Sequence, residues 1–104
     1  MVLPISVLSL VTQALGELRI RYVLVGSFAS SMYGLYRATA DIDILAEIKG
    51  EHIGPLHGAL ADAFYVDELT MRNAVTQRRS FNAIHFDSVF KVDIFIPHDE
   101  FSFT

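Results

Sequence analysis

The chain has 104 residues, an apolar fraction of 52% and a formal charge of −4. These values bound it to one small domain with a real core, and they exclude both a disordered segment and a protein whose overall field is basic enough to draw in nucleic acid. There is no cysteine, so a disulfide scaffold, a thiolate zinc site and a cysteine nucleophile are excluded.

The first stretch, MVLPISVLSLVTQAL, lacks the basic start of a signal peptide, and Gln13 and Glu17 leave its apolar run too short to span a bilayer. A cytoplasmic protein without membrane contact is expected. Val7, Leu8, Val11, Ala14, Leu15 and Leu18 follow a three-four spacing, which predicts a packing helix over residues 4 to 18. Pro4 suits its first turn, and Gly16 weakens its end. Ile20 to Val25 is predicted as the first strand. Its near-continuous apolar run is the pattern of a strand covered on both faces.

Gly26 ends that strand, and glycine lets a ligand approach the backbone closely. Ser27 suits the N-cap of a helix running to about Leu35, with Phe28, Met32 and Leu35 as its buried stripe. A helix N-terminus favours phosphate, although most Gly-Ser corners are only capped turns. Thr39 to Ile48 is the second predicted strand. Within DIDIL, Asp41 and Asp43 fall on one face and Ile42 and Ile44 on the other. Aspartate is disfavoured in strands, and two like charges on one face repel unless a cation sits between them. A solvated acidic sheet face is the plainer alternative.

Gly50 is expected to close this strand. A second helix is predicted over residues 51 to 64, with Ile53, Leu56, Leu60 and Phe64 on one side and Pro55 in its first turn. His52 and His57 lie five apart, so they do not face one another as helical metal ligands. Tyr65 to Asp67 reads as a short extended piece, followed by a weakly patterned helix from Glu68 to Arg79. Arg72, Arg78 and Arg79 are cations that could meet phosphate, with a solvated basic face as the plainer reading.

Ser80 to Phe86 and Val89 to Pro97 are predicted to form a hairpin joined near Asp87 and Ser88. Lys91, Asp93 and Phe95 share one face of the second arm, and Val92, Ile94 and Ile96 the other. Asp93 thus occupies the same kind of position as the DID pair. His85 sits on the preceding arm, near enough in sequence to approach the site, and is given no role. Phe101 and Phe103 close a tail with no evident packing partner in the sequence.

The combination of a Gly-Ser corner, a D-x-D about fifteen positions on and a third Asp in KVDIFI resembles the DNA polymerase β-like nucleotidyltransferase superfamily. It is most similar to the small bacterial branch of minimal nucleotidyltransferases and abortive-infection-type toxin enzymes, and the segment SFNAIH looks like that branch too. The likeness spans residues 20 to 97. It implies an α+β fold with a small mixed β-sheet, helices packed on it and a nucleotidyltransferase-type core, forming a single domain over residues 1 to 104.

By the same resemblance, Gly26 and Ser27 hold the nucleotide's phosphates, and Arg37, in an R-x-T with Thr39, touches phosphate or fixes the strand. Asp41 and Asp43 ligate two Mg2+ ions, and Asp93 is the third carboxylate and activates the attacking hydroxyl. Members of the family usually continue into further helices or a second domain that contacts base and acceptor. The stop at Thr104 therefore leads to the expectation of a domain lacking that C-terminal extension.

Physical chemistry supports the same site. Mg2+ prefers oxygen ligands and keeps several waters, so a few carboxylates suffice. The expected reaction moves a nucleoside monophosphate from a nucleoside triphosphate to a hydroxyl of an RNA, a protein or a small molecule. The rival expectation is a catalytically silent binding module of the same fold that acts through a protein partner, as in a toxin–antitoxin pair, or through a second copy of itself. A third is a plain α+β domain with a solvated acidic face.

Overall fold

A computed structural model describes residues 4–24, 41–88 and 90–97. Within them the element order is α1 (Pro4–Glu17), β1 (Tyr22–Leu24), β2 (Asp41–Ala46), α2 (Gly50–Ala61), β3 (Phe64–Tyr65), α3 (Glu68–Gln77), β4 (Ser80–His85) and β5 (Lys91–Phe95). The five strands form one sheet in the order β1-β2-β5-β4-β3. Only β2 and β5 run parallel; the other neighbours are antiparallel. The fold is α+β, a small mixed sheet with three described helices packed on it.

Period-two alternation decides which side is the core. Ile42, Ile44 and Ala46 of β2, Val92 and Ile94 of β5, and Phe81 and Ala83 of β4 are all buried. They merge into one cluster with Val7, Leu8, Val11, Ala14 and Leu15 of α1, Ile53, Leu56 and Leu60 of α2, and Met71 and Ala74 of α3. The helices therefore share the side of the sheet that carries the isoleucines and valines.

Helix α1 follows its predicted stripe. It ends where Arg19 turns left-handed at φ 59°, with the amide of Ile20 donating to the carbonyl of Leu15 at 2.9 Å. Helix α2 departs from expectation at both ends. It begins at Gly50, because the amide of the preceding Lys49 donates to Nδ1 of His52 at 3.0 Å and sets the N-cap there. That start places Pro55 in the second turn rather than the first, where its missing N–H costs an internal bond. The helix stops at Ala61, and Phe64 lies in β3 instead of continuing the helical stripe.

Helix α3 is capped by Asp67, whose Oδ2 accepts from the amide of Thr70 at 2.9 Å and from its hydroxyl at 2.8 Å. The Thr70 amide, then its hydroxyl, hold the Asp67 carboxyl below its ordinary pKa. Arg78 closes this helix in a left-handed conformation, φ 55°.

Strand β1 corrects the expectation of a strand covered on both sides. It is an edge strand paired only with β2 among the described strands, and Val23 and Leu24 each keep about two fifths of their surface exposed, at 41% and 43%. Its apolar run reflects β-propensity and partial packing through Tyr22 rather than full burial. Among the described residues no helix is long and apolar enough to cross a membrane.

Candidate functional site

The parallel pairing of β2 with β5 decides where the predicted carboxylates meet. Its register sets Asp43 directly beside Asp93, with Asp41 beside Lys91 one pleat away. On the other flank of β5, the antiparallel register sets Asn82 beside Asp93. Asp43, Asp93 and Asn82 thus form a row across three strands, on the side of the sheet opposite the three described helices. Neighbouring strands lie about 4.7–4.9 Å apart, a spacing at which two carboxylates in register can share one cation.

Burial is graded along the row. Asp43 and Asp93 are half-buried and Asn82 is exposed. The apolar neighbours Leu45 and Ile84 are half-buried as well, so the carboxylates stand on a partly apolar floor. Asp43 and Asp93 offer the oxygen donors that a hard divalent cation prefers. Among the described residues no group of three His, Cys, Asp or Glu side chains is placed to hold a metal ion. The Asp41 side chain, third of the predicted ligands, lies outside the described side chains.

Gly26, Ser27 and Arg37, predicted for the phosphates, lie outside the described residues, as do the helix from Ser27 to Leu35 and the tail from residue 98. The structure brings together two of the predicted site residues, Asp43 and Asp93.

His85 does not approach them. It is buried on the core face, 7% exposed, with its ring edge-on to Phe64 at 5.3 Å between centroids and Nδ1 2.9 Å from the Ser88 hydroxyl. It anchors the β4–β5 turn, where the Phe90 amide also donates to the Ser88 hydroxyl at 3.3 Å. The remaining arginines behave as expected of a solvated face in one case. Arg72 pairs with Glu68 one turn back at 2.9 Å, whereas Arg78 donates from Nη1 to the carbonyl of Pro97 at 2.8 Å.

Asn82 is the polar neighbour that the sequence analysis leaves unmarked, whereas Lys91 is already expected on the face of Asp93. The alternation in SFNAIH sets Asn82 on the face away from Phe81 and Ala83, and that is the signal by which it is found. Its register against Asp93 depends on the length of the β4–β5 turn, which alternation does not reveal.

Comparison with protein-family models, with curated proteins and with solved structures gives no match.

Proposed function

We propose that this chain is a nucleotidyltransferase that moves a nucleoside monophosphate from a nucleoside triphosphate to a hydroxyl acceptor, with its reacting groups on the carboxylate face of the sheet. The observation that supports this reading most is the in-register pairing of Asp43 with Asp93 on adjacent parallel strands. Two carboxylates drawn from sequence positions fifty residues apart stand side by side on a face where neither serves the core.

In the proposed reaction the acceptor oxygen bonds to the α-phosphorus. The bond from that phosphorus to the bridging oxygen breaks, and pyrophosphate leaves with the electron pair. Asp93 accepts the hydroxyl proton at a carboxylate oxygen. Asp41, Asp43 and Asp93 would hold the divalent metal, and Gly26, Ser27 and Arg37 the phosphates. Bound there, Mg2+ would supply charge stabilisation to the entering and leaving oxygens.

The test is transfer of label from an α-labelled nucleoside triphosphate, with Mg2+, to RNA, protein and small hydroxyl acceptors. Asp93→Asn is expected to slow transfer by about 10²–10⁴-fold, the range for a lost general base. Asp43→Ala is expected to abolish it while the chain stays folded. Unchanged turnover in either variant would sink the assignment. Nucleotide binding without turnover by the wild type, across all three acceptor classes, would favour the silent binding module instead.

A further inference from the structure

The basic residues are unevenly placed. The chain holds eight lysines and arginines in all, and four of them surround two adjoining depressions beyond the end of β2. One, of about 300 Å³, is bounded by Glu47, Lys49, Arg78 and the Ile96–Pro97 segment. The other, of about 280 Å³, is bounded by Arg19, Arg21, Glu47, Lys49, Glu51 and His52. Glu47 and Lys49 form the wall they share. Among the described lining residues, four cations stand against two carboxylates, in a chain whose formal charge is −4.

Three further observations bear on what the depressions can do. They lie where the parallel strands β2 and β5 both finish, and the carboxyl ends of parallel strands are where open α/β sheets leave room for ligands. The only described non-glycine residues with positive φ are Arg19 and Arg78, one on each depression. Both close a helix in the left-handed conformation, where glycine or asparagine is the usual choice.

The cations are also held to different degrees. Arg78 is anchored by the Pro97 carbonyl at 2.8 Å, a bond that uses one of its five donors. Arg21 is fixed by two bonds to Oε1 of Glu47, at 3.1 and 2.8 Å. Neither Lys49 nor Arg19 makes an ion pair among the described residues.

We infer that these two depressions form one anion site for a small polyphosphate-bearing molecule, separate from the carboxylate row. Two anchored arginines, Arg78 and Arg21, together with Lys49 on the shared wall and Arg19, neither of them in an ion pair among the described residues, suit phosphate groups at two points. A compact ligand is favoured over a long polyanion because four of the eight basic residues cluster at these depressions, while the chain's net negative charge opposes a strand that extends beyond them. The two volumes together lie within the range of small-molecule sites.

The test is titration of the full chain with tripolyphosphate in EDTA, at constant ionic strength, followed by calorimetry and by the thermal midpoint. Saturable binding is expected, weakened at least tenfold in Lys49→Gln and in Arg19→Gly. Arg19→Gly should fold at least as well as wild type, because glycine relieves the left-handed backbone, so weaker binding in it is not a folding defect. Asp43→Asn should bind as wild type does, which separates this site from the proposed transferase centre whether or not that centre is active. Equal midpoint shifts from sulfate, undiminished affinity in Lys49→Gln and Arg19→Gly, or binding of a single-stranded oligonucleotide but not of tripolyphosphate would each overturn the inference.

Discussion

The two faces of the sheet are built from the same strands and do opposite things. On the helix side Ile42, Ile44, Val92, Ile94, Phe81 and Ala83 are buried in one cluster. On the other side the alternate residues, Asp43, Asp93 and Asn82, form a polar row flanked by Leu45 and Phe95. The comparison shows that one register serves both faces. A slip of one residue between β2 and β5 would drive Asp43 into the core and expose Ile42 or Ile44. The burial that stabilises the fold is thus what fixes Asp43 beside Asp93, and a substitution belongs to stability or to the site according to its parity along the strand.

The sharpest way to break that division is Ile44→Ala. Ile44 is fully buried, so the loss should be about 2–5 kcal/mol, read from chemical denaturation. A loss below 1 kcal/mol would mean that the helix face is not the core. A smaller effect, of opposite sign, is expected under that face. Gly54 and Gly58 lie inside α2, and an added Cβ meets nothing within 4 Å at either position. Gly58→Ala should therefore gain about 0.5–1 kcal/mol; destabilisation would show that the glycine answers a close contact.

At the α3 cap, Asp67→Ala should lower the thermal midpoint at neutral pH and Asp67→Asn should lower it less, since asparagine also caps. The folded state holds the Asp67 carboxyl below its ordinary pKa. Its stabilising contribution is therefore complete above the unfolded value, near 4, and is lost as pH falls through the lowered folded value. The deficit of Asp67→Ala should shrink in a pH series over that acid range, and a deficit independent of pH would point to lost packing instead. The smallest effect belongs to the other side of the sheet. Asp93→Asn in metal-free buffer should melt at or slightly above the wild-type temperature, because it removes a charge beside Asp43. A clear loss would place Asp93 among the residues that hold the fold.

Much of this arrangement was legible where the period is local. The alternation in DIDIL and KVDIFI names both faces of β2 and β5, and the three-four stripe of α1 is buried from Val7 to Leu15, while Leu18 lies past the helix end and is half-buried. Elsewhere the pattern misleads for identifiable reasons. Phe64 falls in phase with Ile53, Leu56 and Leu60, so periodicity extends α2 past Ala61, yet a bulky residue buries as well from the short strand β3. The apolar run of β1 gives no sign of its edge position, which depends on which strands come to pair. For the candidate site, residue types and face were readable. The meeting of Asp43 with Asp93 was not, because parallel pairing across fifty residues is set by the packing of everything between them.

The most direct test of the carboxylate face as a metal-dependent nucleotide site is the thermal midpoint of wild type and Asp93→Asn with a panel of nucleoside triphosphates, with and without Mg2+. Ligand that binds only the folded chain raises the midpoint by mass action. The account predicts a rise in wild type that requires Mg2+ and nucleotide together and disappears in Asp93→Asn. No Mg2+-dependent rise with any nucleotide, or an equal rise in the variant, would contradict it.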